Sequence, residues 1–423
     1  MDYKSLIQVY LVLDPTTITL GTILTIVFCV CLYFNKSRQE RQSFLKYTLP
    51  DLEFDVINAK IPFDKHATTI LLTGGNGFLG PYIIRMLLDE KSYNVIVFDI
   101  NYPKQREDRV TYVRGNLLNY THLLKTVEMH TSRGFNIDCV IHSASLIPFL
   151  GVPKKAICMV NIQGTQNIIQ LCQQKHIKSL IYTGSALSLL VKHDRQAFDL
   201  NESETKYPLI DQHLDIYTMT KAAAERLVLA ANSPSVLATC SLRPAAIFGR
   251  GDKVMSDKYV RGEDAVIVGT GKFVFDYVPA ECVAHAHILA VKAITGEKRS
   301  LVNGQAYFIG NGERHEVRWF NGHGSFGSSK HVSHWEQPHP WHLPLWFIHS
   351  LCYVNDSFYA LSGITLMNPS ITYTLVDYTQ RSYSFSIDKA KRDLEYVPLM
   401  TVEEKIAQLV KESRSTLATT SKH

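Results

Sequence analysis

Tyr217 stands four residues before Lys221 in the stretch DIYTMTKAAAERLVLAA. One helical turn apart, the two side chains share a face, and that juxtaposition has a chemistry. A free phenol ionises near pH ~10, too high for an efficient base at neutrality, and a neighbouring ammonium lowers that value by favouring the phenolate. The pair can therefore take a proton from a substrate oxygen or return one. Among 21 tyrosines, on the order of one such spacing arises by chance, so the pair needs corroboration elsewhere in the chain.

That corroboration begins upstream. The run TTILLTGGNGFLG sets Gly74, Gly77 and Gly80 three residues apart, after an apolar strand and before a helix. Glycine is wanted there because the chain must turn tightly, the backbone must approach a pyrophosphate, and the helix must pack closely on the sheet. The free N–H groups at the helix start then face the anion. Asp99 ends the next strand, NVIVFDI, where a carboxylate accepts hydrogen bonds from a ribose diol and repels a 2′-phosphate. The pattern points to a dinucleotide, and to NAD before NADP, with Lys104 and Arg106 near enough to soften that preference.

Three further strand ends belong with the pair. SLIYTGSA closes on Ser185, with Thr183 and Ser188 as the other hydroxyls of the same strand and turn. VIHSAS brings Ser143, Ala144 and Ser145 beside the cofactor groove, and SLRPAAIFG offers Arg243, Pro244 and an apolar strand to hold the nicotinamide end. Open α/β sheets place their ligands at such carboxyl ends.

The elements that must position these groups alternate short apolar strands with helical segments from Thr68 onward, which implies a doubly wound parallel sheet. The composition, 46% hydrophobic and 20% charged, suits a globular protein with a good core. A formal charge of +5 without a long basic run argues against a nucleic-acid partner. The eight cysteines form no C-x-x-C pair and sit in apolar runs, as free thiols in a reducing compartment do. His331, His334, His339 and His342 lack a carboxylate or thiol at ligand spacing, and no metal is expected.

The N-terminus departs from this pattern. Thr16 to Phe34 is an uncharged run of about 19 residues, long enough as a helix to cross a bilayer core of ~30 Å. Lys36, Arg38, Arg41 and Lys46 follow it, which orients the body towards the cytosol. The expected organisation is a tail over 1–15, a transmembrane anchor over 16–34, and a linker over 35–66. A Rossmann domain spans 67–250, a smaller substrate lobe 251–415 (with 273–310 returning to the core), and a tail 416–423. The apolar stretch at 343–361 is interrupted by His349, Asn355 and Asp356, so it reads as a helix over a ligand pocket or on the bilayer surface, not a second span.

The blocks TGGNGFLG, VIHSAS, VNIQGTQN, YTGSA, YTMTK, LRPAAIFG and SFSIDKAKRDLEYVPLMTVEEKI together resemble, in order, an extended short-chain dehydrogenase/reductase of the 3β-hydroxysteroid dehydrogenase family. NESETKYP and FDYVPAECVAHAHILA resemble its sterol-4α-carboxylate 3-dehydrogenase (decarboxylating) branch. The resemblance implies that Tyr217 is the acid/base, Lys221 its partner and Ser185 the anchor of the substrate hydroxyl. It extends the cofactor set, beyond the three glycines, Asp99, Tyr217 and Lys221, to Thr73, Phe78, Leu79, Asn116, Leu117, Ser143, Ala144, Ser145, Pro244 and Ile247. It implies NAD-dependent oxidation of a 3β-hydroxysterol to the ketone, with loss of a 4α-carboxylate, at the endoplasmic reticulum membrane. A homodimer stays open. So do a Δ5-Δ4 isomerase, a nucleotide-sugar epimerase or dehydratase, and a non-catalytic NAD-binding protein.

The chain also departs from the family pattern. Asn116 stands where the family usually has Asp, and its amide oxygen is expected to accept from an adenine amine. Gly184 replaces a common serine, Cys282 an asparagine, and the segment at 253–267 is about ten residues short, which bears on substrate choice.

Overall fold

The computed structural model describes residues 42–149, 151–252, 255–256, 267–322, 342–362, 366 and 373–420. The expected anchor at 16–34, most of the short segment at 253–267, and His331, His334 and His339 lie outside these residues. No helix among the described residues is long and apolar enough to cross a membrane.

Eight strands form one sheet: β1 (Asp55–Ile57), β2 (Thr68–Thr73), β3 (Tyr93–Asp99), β4 (Val110–Arg114), β5 (Cys139–His142), β6 (Ser179–Thr183), β7 (Ala238–Pro244) and β8 (Gln305–Ile309). Their spatial order is β1-β4-β3-β2-β5-β6-β7-β8. All neighbours run parallel except β1, which pairs antiparallel with β4 at the edge. The central strands are buried on both faces, which is why they read as unbroken apolar runs and not as alternating patterns.

Successive side chains serve opposite faces. Ile70, Leu72, Val95 and Val97 meet α1 (Gly80–Asp89) and α5 (Ala280–Thr295), whereas Leu71, Ile96 and Phe98 meet α2 (Tyr120–Thr131), α3 (Gly164–Gln174) and α4 (Ile216–Ala230). Strand order reverses between β2 and β5, and that reversal opens a crevice at the carboxyl ends, the place where such sheets take ligands.

The smaller lobe is stitched from short pairs. Gln196–Leu200 runs parallel with Ser382–Phe385, Val274–Phe275 antiparallel with His315–Glu316, and Ile267–Val268 parallel with His342–Leu343. Helix α6 (Leu345–Ser362) follows. Residues 280–309 return to the main body as α5 and β8, so the two lobes share a core through Phe308 and Phe385, whose rings stack 4.8 Å apart.

Residues 42–66, assigned to a linker by their mixed composition, are held to the domain. Residues 42–48 are helical, β1 extends the main sheet, and Phe54 and Phe63 pack against His122 and His130 of α2. Mixed charge hid this because an edge strand of three residues buries only one side.

Candidate active site at the carboxyl edge of the sheet

The glycine loop fits a pyrophosphate by what it leaves out. Gly74 has φ +74°, and a Cβ there would lie 2.6 Å from the Ala144 backbone. A Cβ on Gly80 would stand 2.2 Å from the Gly75 carbonyl oxygen, and one on Gly75 would meet Val97 at 2.7 Å. Gly75 is thus a fourth constrained glycine that three-residue spacing does not reveal. The amides of Phe78 and Leu79, at the start of α1, find no acceptor among the described residues. The loop keeps its shape through Asp99, which accepts from the Asn76 amide at 3.0 Å and the Asn101 amide at 2.8 Å. Burial pushes the Asp99 carboxyl above its usual range, and the Asn101 and Asn76 hydrogen bonds pull it back.

Across the crevice, α4 is started by a capping box. Asp215 accepts from the Thr218 amide at 2.8 Å, and Thr218 Oγ1 accepts from the Asp215 amide at 3.1 Å. That cap places Tyr217 in the first turn and Lys221 one turn on. Against the expectation that Lys221 lowers it, the Tyr217 hydroxyl is raised to about 12 by burial, then by the charge of Asp215, and only a hydrogen bond from Ser145 pulls it back. Burial lowers the Lys221 ammonium to about 7, while Glu225 pulls it upward. Lys221 Nζ donates to the Thr183 carbonyl at 2.5 Å and lies 4.4 Å from the centre of the Tyr182 ring.

Three hydroxyls competed for the substrate position. Thr183 Oγ1 is bonded to His287 Nε2 at 2.8 Å, and Ser188 Oγ donates to the Ser185 carbonyl at 2.6 Å. Ser185, on extended backbone at the mouth of β6, is the hydroxyl left for a ligand. Behind it, Ser145 Oγ lies 3.3 Å from Asn161 Oδ1, and Asn161 donates to Thr220 Oγ1 at 3.0 Å. Asn161 sits in a π-helical turn, Met159–Gln163, which aims it at the crevice wall.

Hydrogen directions fix one buried histidine. Thr165 Oγ1 donates to the Asn161 carbonyl at 2.7 Å, so it must accept from His142 Nε2 at 2.9 Å. His142 Nδ1 therefore accepts from Thr73 Oγ1 at 2.7 Å, and burial, with Lys221 nearby, holds the ring neutral at about 3. Thr73, expected at the cofactor, is committed to this brace between β2, β5 and α3.

Two expectations are redirected. Arg243 does not reach the nicotinamide end: its Nε donates to Glu225 at 3.0 and 3.1 Å, and both groups are buried. Asn116 Oδ1, the expected acceptor for adenine, takes the Leu118 amide at 2.9 Å, while Nδ2 donates to the Thr48 and Leu49 carbonyls. Leu117, Ser143, Ala144 and Pro244 lie at or just beyond the carboxyl ends of β4, β5 and β7, and Ile247 in the next short strand, Ala246–Phe248.

Glu225 was legible in principle, because it continues the Tyr217–Lys221 stripe by another turn. Tyr378, which burial and Asp215 raise far above a free phenol and which faces Tyr217 from the smaller lobe, left no sequence signal. A separate cleft of ≈ 1120 Å³ opens at the opposite, amino edge beside Thr68, Asp138 and Ser179, away from all of these groups. Among the described residues no three His, Cys, Asp or Glu side chains converge as metal ligands do.

The arrangement can bind a dinucleotide along the crevice and exchange a proton with an oxygen held between Ser185 and Tyr217. The model of the 3-beta hydroxysteroid dehydrogenase/isomerase family matches residues 71–333. A 3beta-hydroxysteroid-dehydrogenase/decarboxylase (isoform 1) of Arabidopsis thaliana is 31% identical over 363 residues, covering 80% of this chain and 78% of that one. A decarboxylating sterol-4-alpha-carboxylate 3-dehydrogenase of Candida albicans is 30% identical over 347 residues, covering 79% and 94%. Among solved structures, UDP-glucose 4-epimerase of Thermus thermophilus in complex with NAD superposes with a TM-score of 0.58 at 20% identity, over 82% of this chain and 99% of that one. At that identity it speaks for the fold alone.

Proposed function

Because the chain belongs to the 3-beta hydroxysteroid dehydrogenase/isomerase family and is with it an oxidoreductase acting on a CH–OH group, we propose that it oxidises the 3β-hydroxyl of a sterol to the 3-ketone with NAD, and that a 4α-carboxylate is then lost as CO2. The observation that carries this reading is the Tyr217–Lys221 pair, one turn apart on α4, together with Ser185 and the Gly74–Gly80 loop at the carboxyl ends of β6 and β2.

The residues divide the work. Ser185 holds the substrate oxygen. Tyr217 takes its proton, and Lys221, one turn further along α4, would stabilise the phenolate when it carries its charge. The nicotinamide, when bound, accepts the hydride from C3. In a 3-ketone carrying a 4α-carboxylate, the carbon–carbon bond to CO2 breaks with its electron pair delocalised onto the ketone oxygen. Tyr217, now protonated, and Ser185 face that oxygen and can neutralise it. Asp99 supports NAD over NADP, since its buried carboxylate lies where a 2′-phosphate would need a cation.

The apolar run at 16–34 supports attachment to the endoplasmic reticulum membrane with the body in the cytosol. Trp346 and Tyr353 of α6, exposed by 70% and 77%, offer a lipid-compatible surface on the substrate lobe. Glycan found at Asn119 or Asn201 would overturn the cytosolic orientation.

Purified full-length protein with NAD and a panel of 3β-hydroxysterols, with and without a 4α-carboxyl, tests the activity. NADH formation that is fastest with the carboxylated sterols is expected. No NADH from any sterol, with NAD binding intact, refutes the dehydrogenase reading.

A further inference from the structure

Asn116 stands two residues beyond β4, the strand beside β3, and the Gly115 amide ties it to the Asp99 carbonyl at 2.8 Å. If Asp99 takes the adenosine ribose, the adenine lies outward from it, over the ends of β3 and β4. Residues 42–49 lie at that place. Asn116 Nδ2 donates to the Thr48 carbonyl at 2.5 Å and to the Leu49 carbonyl at 2.9 Å, with both Asn116 and Thr48 buried. At the other side Lys155, at the start of the helix leading to Asn161, lies 5.3 Å from the Phe44 ring. Leu49 adopts φ +42°, a left-handed turn that L residues seldom take, and its amide closes on the Leu45 carbonyl at 2.8 Å. The segment thus spans the carboxyl edge from the Lys155 helix to β4.

The chemistry at residue 116 follows from this contact. An aspartate would set a carboxylate oxygen against two carbonyl oxygens, a repulsive arrangement. Asparagine supplies the donor the two carbonyls need while its oxygen still caps the Leu118 amide. The departure from the family's usual Asp therefore has a structural partner 67 and 68 residues upstream.

We propose that residues 42–49 form the outer wall of the adenine end of the cofactor crevice, and that Asn116 is the positioning residue that pins this strap. The inference rests on the dinucleotide reading above. Adenine then meets the strap instead of the side chain at 116. Because the strap follows closely on the apolar run at 16–34, the membrane-proximal chain is also part of the cofactor site.

Asn116→Asp in the full-length protein tests the two views with opposite signs. It preserves the acceptor for Leu118 and replaces the donor with a carboxylate oxygen. With the strap as the wall, amide hydrogen exchange over 42–52 speeds up about tenfold without ligand, and ADP-ribose binding weakens about tenfold, or about 1.4 kcal/mol. Nicotinamide mononucleotide, which lacks adenosine, binds N116D unchanged, which a collapsed site would not allow. Asn116→Ala, which removes the donor and the Leu118 acceptor without adding charge, gives the same direction in the exchange over 42–52 and covers the case in which N116D does not fold. ADP-ribose binding N116D as tightly as, or tighter than, the unaltered protein overturns the proposal, as does unchanged exchange over 42–52. Failure of the unaltered protein to bind ADP-ribose at all brings down the dinucleotide reading, and this proposal with it; the ligand-free exchange result tells the two failures apart.

Discussion

Replacing Glu225 by Gln removes a negative charge from a carboxylate with no exposed surface. That carboxylate accepts from Arg243 Nε at 3.0 and 3.1 Å, from the Tyr207 hydroxyl at 2.7 Å, and from Ser241 Oγ. Gln keeps the shape and one acceptor, so part of the Tyr207 and Ser241 bonding survives. The larger loss is the counter-charge of Arg243, a residue only 5% exposed whose guanidinium cannot turn to water. Breaking a buried pair from one side costs ~3–5 kcal/mol, and the retained acceptor places E225Q near the lower end of that range. Urea unfolding of the mutant and of E225Q/R243L checks the reasoning, because removing the stranded cation should restore part of the loss. A single-mutant cost below ~1 kcal/mol, or a double mutant less stable than E225Q alone, would refute the claim that the pair is desolvated and mutually dependent. Catalysis gives a second readout. Glu225 holds the Lys221 ammonium up against burial, so its loss moves the Lys221 ionisation below about 7 and shifts the limb of kcat/KM that it sets to lower pH.

Tyr217→Phe is expected to lower kcat ~10²–10⁴-fold while leaving NAD affinity near its original value, measured by calorimetry beside the rate assay. Lys221→Met should move the ionisation that limits kcat/KM. Burial brings the Lys221 ionisation down to about 7, and the variant lacks that group, so the limb of kcat/KM near that pH should be lost. An unmoved limb would mean that Lys221 does not set it. Gly80→Ala forces a Cβ to 2.2 Å from the Gly75 carbonyl, displaces the start of α1, and should abolish NAD binding; Gly77→Ala, whose Cβ meets only the Gly74 carbonyl at 3.2 Å, should be milder in thermal melts.

What could be read ahead of the structure was local. The Tyr217–Lys221 stripe follows from helical periodicity, the glycine loop from the backbone demands of a strand-to-helix turn, and the parallel sheet from the alternation of apolar strands with helical segments. Ser185 was legible only as one of three hydroxyls. The bonds that engage its competitors reach His287, 104 residues from Thr183, and the carbonyl of Ser185 itself. The short strand pairs of the smaller lobe were not legible, because two- to five-residue strands carry too few alternations to show a period.

The sequence by itself determined the family, the glycine loop, the Tyr217–Lys221 spacing and the apolar run at 16–34, because each is written in residue types a few positions apart. Tertiary structure alone decided that Arg243 serves Glu225, that His142 braces β2 to α3 as a neutral ring, and that Asn116 holds the chain of residues 42–49. Those partners depend on which strand ends the doubly wound topology lays side by side, and no short-range spacing encodes that adjacency.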